Sequence, residues 1–340
     1  MKDISKTLIW DDLGLSSPHS GIGSYARNLS EHLPQQGWAP KLFNGLEWAE
    51  ALRLGRLSEN KFPLPQGRPF FLPKSSIFHG LSNINGPLFQ IRRDVRSVVT
   101  IHDLIPVLTG DATRYGVLFK AIYKSVARSA DRVIAVSHWT KETLVRRGIA
   151  EDRIQVIANG FPPWSAAPEV AKEHLLCVGR YEAYKHLDFF GDLSRKMGLK
   201  AVLVTDSKGA LRLKSQFSDL CQSGQLVIQS SLSQSELSEL YRKALVLVHP
   251  SLYEGFCLPA AEANAHGIPV VFHKGSGIDE TVEFGAGVDG YVVEEWAETI
   301  ASVMGARAHP EAIQRIKERT WARAAEKLAD VYNELRGEML

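Results

Sequence analysis

The stretch Glu254-Gly-Phe-Cys-Leu-Pro-Ala-Ala-Glu262 follows the apolar run Leu245-Val-Leu-Val-His-Pro-Ser-Leu-Tyr253. A short β-type run thus delivers a carboxylate into a glycine-containing turn. A helix is expected to begin at Pro259, with a second carboxylate one turn in. Proline is favoured at the first helical position, where its missing N–H would have no partner in any case. The peptide N–H groups of Gly255, Phe256, Cys257 and Leu258 are then expected to point out of a helix N-terminus, which favours phosphate. A carboxylate on each side suits a phosphate flanked by polyols, with a sugar on one side and a ribose on the other. That is the outline of a nucleotide sugar. The competing reading is a buried βα junction whose two glutamates are solvated caps. It gives no reason for a Gly-Phe-x-Leu-Pro turn between acids at this spacing.

Working outward, the same half of the chain carries further short, β-branched runs: Leu175-Leu-Cys-Val-Gly179, Ala201-Val-Leu-Val204, Leu226-Val-Ile-Gln229 and Pro269-Val-Val-Phe272. Helical segments separate them, as expected for parallel strands covered on both faces. The first half repeats the pattern. Strands are expected at Thr7–Trp10, Ser97–Asp103, Arg132–Ser137 and Ile154–Ile157, and helices at Ser24–Leu33, Tyr115–Ala130 and His138–Arg147. Residues 50–90 are rich in Pro, Gly and Asn, with short apolar pieces such as Phe70-Phe-Leu and Ile77-Phe-His, so short strands and loops are expected there. Three prolines between Phe161 and Glu173 mark an interdomain linker. Two βα series joined in this way predict an α/β fold of two Rossmann-like domains facing across a cleft, over residues 1–163 and 164–320. A final helix is expected over Trp321–Leu340.

Composition agrees with two domains. The chain has 340 residues, and an apolar content of 44% is ample for two cores with nothing to suggest disorder. Three cysteines without CxxC spacing fit a reducing compartment and give neither a zinc knuckle nor a disulfide framework. The N-terminus lacks an apolar signal core, and no run approaches the ~20 apolar residues of a membrane span. A net charge of +2 hides an asymmetry: residues 1–165 hold 21 Lys+Arg against 14 Asp+Glu, and the remainder 19 against 24. A nucleic-acid binder would carry a larger basic excess with interleaved aromatics. A basic first half instead suits an anionic acceptor or membrane surface, or is simply a solvated face. On Tyr115–Arg132, apolar Val117, Leu118, Ile122 and Val126 run beside a row of cations. That helix either docks on anionic lipid or packs its apolar face on the sheet.

Several other residues carry chemistry. Gly179-Arg180 ends the first strand of the second half and Lys185 follows. Two cations beyond a strand's carboxyl end sit where open α/β sheets bind ligands, and together they can neutralise a diphosphate. Taken alone, an Arg and a Lys in a loop are more often simply solvated. Gly21-Ile-Gly-Ser-Tyr-Ala26 matches the letters of a dinucleotide fingerprint, but ten residues separate it from Trp10, whereas that fingerprint needs its glycines directly after the strand. His102 and Asp103 stand at the carboxyl end of a buried strand. Ser137 precedes a helix and is either a ligand contact or an N-cap. No His/Cys/Asp cluster has metal spacing, so no divalent ion is implied.

Taken in order, these segments resemble the retaining GT-B glycosyltransferases of family 4 (group 1), in the mannosyltransferase-like subset. The resemblance rests on Ser20-Gly-Ile-Gly-Ser-Tyr-Ala, Thr100-Ile-His-Asp-Leu-Ile-Pro, Val136-Ser137, Val178-Gly-Arg-x4-Lys185 and Glu254-x7-Glu262. It implies that Gly21 and Gly23 approach the donor phosphate and sugar, and that His102 contacts the donor sugar at the reacting centre. Ser137 would line the cleft. Arg180 and Lys185 would clamp the pyrophosphate with the Gly255–Leu258 amides, Glu254 would hold sugar hydroxyls, and Glu262 would bind the ribose. A weaker likeness places Glu280 at the family's Pro-Glu, with Asp279 where the proline stands. The resemblance further implies a GDP- or UDP-sugar donor, a saccharide or lipid-linked acceptor, no cofactor and no metal. The last helix would cross back onto the N-terminal domain. The expected location is the cytoplasm, peripheral at the inner face of the membrane. Two other functions remain open at this point: a GT-B nucleotide-sugar epimerase and a catalytically silent nucleotide-sugar-binding subunit.

Overall fold

The computed structural model describes residues 7–11, 20–43, 74–83, 94–109, 114–165 and 171–339. The expected piece Phe70-Phe-Leu and the middle of the proline-rich stretch lie outside them. So do the side chains of Val117, Leu118, Lys120 and Ile122. The chain forms two compact units: Met1–Gly160 with Trp321–Leu340, and Phe161–Thr320.

The first unit runs β1 (Thr7–Asp11), α1 (Gly21–His32), β2 (Pro40–Phe43), β3 (Ser76–Gly80), β4 (Val95–Ile101), α2 (Ile105–Leu108), α3 (Arg114–Ser129), β5 (Arg132–Ala135), α4 (His138–Arg146) and β6 (Ile154–Val156). All strand neighbours are parallel, in the order β2-β1-β3-β4-β5-β6. On α3, Tyr123, Val126 and Ala127 are buried in the core beside β4 and β5, while Lys124 and Arg128 are exposed. Val126 therefore packs inward and does not face a membrane. Two elements differ from expectation. Helix α1 starts at Gly21 and not at Ser24, because Ser20 accepts from the Gly23 amide at 3.0 Å and so caps the helix three residues earlier. Gly21 and Gly23 thus belong to its first turn and not to a loop ahead of it. Strand β2, four residues beginning with a proline, carries too weak an alternation to be read from sequence.

The second unit runs β7 (His174–Val178), α5 (Leu187–Met197), β8 (Ala201–Val204), α6 (Ser207–Gln216), α7 (Ser218–Gln222), β9 (Leu226–Gln229), α8 (Gln234–Lys243), β10 (Ala244–His249), α9 (Leu258–Ala265), β11 (Val270–His273), β12 (Gly285–Val288), α10 (Val293–Val303) and α11 (Pro310–Glu318). Its sheet is again parallel, in the order β12-β11-β10-β7-β8-β9. Period-two alternation sorts its side chains cleanly. Leu175, Cys177, Leu203, Val246 and Val248 pack on one face with Phe190 and Trp296. Leu176, Val202, Leu247 and Val270 pack on the other with Tyr241, Ala260 and Ala263. The chain leaves β7 toward β8 on one side and returns to β10 on the other. The β7/β10 pair is therefore the topological switch point, outside whose carboxyl ends open α/β sheets place ligands.

The last helix, α12 (Trp321–Gly337), belongs to the first unit. Its Tyr332 joins a chain of buried polar groups. Trp10 Nε1 donates to the Tyr332 hydroxyl (3.3 Å), which meets His79 Nδ1 (2.6 Å). His79 Nε2 meets Thr100 Oγ1 (2.8 Å), which meets the Tyr25 hydroxyl (3.0 Å). Burial holds His79 down to about 3, so its ring is neutral, with one nitrogen donating and the other accepting.

Candidate active site

Lys185 and Glu254 come from the two loops that follow β7 and β10, so the switch point brings them together. The Lys185 ammonium donates to Glu254 Oε1. His249, the last residue of β10, also reaches that oxygen, with Nε2 at 2.6 Å. Burial pushes the Glu254 carboxyl up, but Lys185 and then His249 outweigh it and hold the group at about 2. Burial likewise opposes the Lys185 charge, and Glu254 more than offsets it, so the ammonium stays protonated. Both donors converge on Oε1. Oε2 makes no hydrogen bond with any described residue.

The turn after Glu254 is unusual. Cys257 takes φ 76 and ψ 78, a left-handed conformation rare for a non-glycine residue. Its carbonyl accepts from Ala260 (3.1 Å) and Ala261 (3.3 Å), which starts α9 at Leu258, one residue before the expected Pro259. Among the described residues, nothing accepts from the amides of Gly255, Phe256, Cys257 or Leu258, although the first three residues are buried. Buried amides are almost always paired. Four consecutive open donors are a backbone arrangement able to accept an anion.

A second loop braces this turn. Glu254 N–H donates to Ser276 Oγ (3.1 Å), and Gly277 N–H to the Glu254 carbonyl (2.8 Å). Asp279 accepts from the Gly275 and Ser276 amides at 2.7 and 2.8 Å and shapes that loop, while the Glu280 carbonyl accepts from Arg319 at 2.7 Å. A Cβ at Gly277 would lie 2.0 Å from the Gly255 carbonyl oxygen. Gly277→Ala is expected to displace the Gly255 peptide, costing about 2–3 kcal/mol and weakening nucleoside-diphosphate affinity. Unfolding midpoints and calorimetry check this, and wild-type values in both would contradict the bracing role.

Glu262, half-buried on α9, does not join the Lys185–Glu254 pair. Its Oε2 accepts from the Tyr241 hydroxyl at 2.8 Å, and Tyr241 stacks on His266 with ring centroids 5.4 Å apart. Burial raises Glu262 to about 7, against a lowering by Tyr241. The folded value lies above the ~4.3 of an unfolded chain. Stability is therefore greatest below the unfolded value and falls as pH rises toward 7. Affinity for a ribose, whose hydroxyls need the carboxylate as acceptor, is expected to rise across pH 7. Calorimetry from pH 6 to 8 checks it, and a flat profile would remove Glu262 from the ligand.

Arg180 is exposed and makes no ion pair with a described residue. The loop that carries it is fixed by Asp206, which accepts from the Tyr181 amide at 2.7 Å. Ser137 is the N-cap of α4, with Oγ accepting from the Thr140 amide at 3.1 Å, and is 1% exposed. Of the two uses open to it, capping occupies its hydroxyl. His102 follows β4. Its Nε2 donates to the Leu81 carbonyl at 2.8 Å, and burial lowers it to about 4, so the ring is neutral and Nδ1 is left as an acceptor.

His249, Glu254 and Cys257 place an imidazole nitrogen, a carboxylate oxygen and a sulfur within 4.8 Å of one another. Lys185 already supplies a cation to that carboxylate, and burial pushes the Cys257 thiol well above its ordinary range. The group is a paired carboxylate beside a protonated thiol, not an open set of anionic ligands. His249 and Tyr241 were not among the sequence candidates. Nothing in their local sequence distinguishes them from core residues.

Two Rossmann-like units, each built on a parallel sheet, with a cation–carboxylate pair at the switch point of the second, match the GT-B fold of glycosyltransferases. The profile of the glycosyl transferases group 1 matches residues 164–320, and that of glycosyltransferase family 4 matches residues 19–164. The two matches run without a break, and the chain belongs to this glycosyltransferase family. It is 27% identical to a GDP-mannose-dependent α-mannosyltransferase of Mycobacterium tuberculosis, over 74% of this chain and 75% of that one. It is 28% identical to the O-antigen chain mannosyltransferase RfbU of Salmonella typhimurium, over 51% of this chain and only half of that protein's length. In fold it is similar to sucrose-phosphate synthase of Thermosynechococcus elongatus, with TM-score 0.75 and 18% identity over 98% of this chain and all of that one.

Proposed function

We propose that the chain is a retaining, metal-independent hexosyltransferase. It moves a sugar, mannose by likeness to its relatives, from a nucleoside-diphosphate sugar to a saccharide or lipid-linked saccharide during glycan assembly. The observation that carries this reading is the run of four open amides, Gly255–Leu258, set between Glu254 and Glu262 and following the carboxylate that Lys185 pairs with. In the reaction the bond between the anomeric carbon and the phosphate oxygen breaks, with its electron pair going to the phosphate. The acceptor oxygen bonds to the same carbon and its proton passes to the departing diphosphate. Negative charge grows on that phosphate, so preorganised donors there matter most. Lys185, Arg180 and the four amides are assigned that role.

Glu254 is assigned to sugar hydroxyls. A carboxylate held at about 2 is a weak base and a weak nucleophile, which favours an orienting role. Glu262 takes the ribose, and the neutral His102 offers Nδ1 to a sugar hydroxyl. The test is calorimetric titration with UDP, GDP and ADP in the presence of EDTA. Saturable binding of one of them is expected, and binding of none would overturn the reading. Turnover that requires an acceptor, with the product anomer matching the donor, separates a retaining transferase from an epimerase or a silent subunit.

No helix among the described residues is long and apolar enough to cross a membrane. A cytoplasmic location with peripheral contact on anionic lipid remains part of the proposal, supported by the exposed Lys124 and Arg128 on α3. Co-sedimentation with anionic vesicles at low salt is expected. Its absence would end the membrane component.

A further inference from the structure

We propose that His249 is a positioning residue that determines which oxygen of Glu254 meets the donor sugar. The inference rests on the function proposed above. His249 is 2% exposed at the end of β10, and its Nε2 lies 2.6 Å from Glu254 Oε1. Because that carboxylate is ionised, Nε2 must donate. The ring's other nitrogen, Nδ1, is buried and has no partner among the described residues, so the bond to Glu254 is the one hydrogen bond the imidazole makes there. The neighbouring backbone is pinned as well: the Pro250 carbonyl accepts from the Tyr291 hydroxyl at 2.9 Å, and Ser251 Oγ donates to the Tyr253 carbonyl at 3.0 Å. The histidine therefore approaches from a rigid strand end.

Two donors on one oxygen are redundant while no ligand is bound, and the redundancy acquires a use when a diphosphate arrives. Lys185 is then drawn toward the phosphate charge. A carboxylate held by Lys185 alone would follow it or rotate. With His249 on Oε1, the carboxylate keeps its orientation and Oε2 stays directed at a sugar hydroxyl. His249 does not touch the reacting atoms; it acts through Glu254.

The experiment compares the affinity of a nucleoside diphosphate with that of its sugar ester, using UDP against UDP-glucose and GDP against GDP-mannose. The variants are His249→Leu, which removes the donor, and His249→Gln, whose amide reaches a similar point. His249→Leu is expected to leave nucleoside-diphosphate affinity within about threefold of wild type. It should abolish the gain contributed by the sugar, a loss of about tenfold or more for a hydroxyl on a charged acceptor. His249→Gln is expected to restore that gain. Should His249→Leu fail to fold, His249→Asn, too short to reach Glu254, takes its place beside His249→Gln. A purely structural role would weaken both ligands equally, and that result, or an unchanged sugar increment in His249→Leu, would overturn the proposal. A wild-type protein that binds none of the four ligands would instead remove the proposed function, and this inference with it.

Discussion

Lys185→Ala is expected to lower turnover by about 10²–10³-fold, while nucleoside-diphosphate affinity falls less. A preorganised cation aimed at growing charge is worth most in the transition state. The same change exposes a second effect. Glu254 stands at about 2 in the folded chain, below the ~4.3 of an unfolded one. Its contribution to stability is therefore present above 4.3 and is lost as pH falls from 4.3 toward 2. Without Lys185, burial raises the carboxyl against His249 alone, and the acid-unfolding midpoint should move up in pH. Breaking a buried pair also destabilises by about 3–5 kcal/mol. Turnover at saturating donor, read beside circular dichroism on acid titration, checks both effects. Near wild-type turnover would remove Lys185 from the site.

Asn264→Leu is expected to destabilise the second unit strongly, with no change of ligand chemistry. Asn264 is fully buried on α9. Its Nδ2 donates to the Ile268 and Phe284 carbonyls at 3.1 and 2.8 Å, and its Oδ1 accepts from the Glu283 and Phe284 amides at 2.8 and 3.1 Å. One side chain thus satisfies four backbone groups in the segments around β11 and β12. Leucine keeps the branched shape but takes away the partner of the Glu283 and Phe284 amides and of the Ile268 carbonyl, at about 1–3 kcal/mol each and less than additively. The Phe284 carbonyl keeps the Val270 amide at 3.1 Å. A total of about 4 kcal/mol corresponds to a fall of about 10 °C in melting temperature. Asn264→Asp, which keeps the acceptor and loses the donors, should fall between. An unchanged melting temperature in Asn264→Leu would show that the loop holds itself.

Local features are legible in the sequence, and those that depend on strand order are not. The Glu254–Glu262 turn is contiguous, so its carboxylates, glycine and proline could be read as one object. Both βα series were legible because buried parallel strands leave dense apolar runs. His249 sits inside the quoted run, yet nothing local separates it from a core residue. Its meaning depends on β10 lying beside β7, which puts Lys185 opposite. Tyr241 is a helix away from Glu262 and is visible only once α8 and α9 pack together. Strand β12, Gly-Ala-Gly-Val, lacks the side chains that a period-two pattern needs. A cap and a ligand contact call for the same small residues, so sequence alone leaves Ser137 open and starts α1 three residues late.

The chain of groups from Trp10 through Tyr332, His79 and Thr100 to Tyr25 also bears on the order in which the protein matures. During synthesis from the N-terminus, the second unit has all of its residues once Thr320 has emerged. The first unit must wait for α12. Until Tyr332 arrives, Trp10 Nε1 and His79 Nδ1 have no partner, and the sites of Trp321, Leu328 and Leu335 on the first unit stand open to water. The half of the polypeptide made first is thus expected to fold last. A stall or nick shortly after residue 320 would release a finished second unit tethered to an unfinished first one.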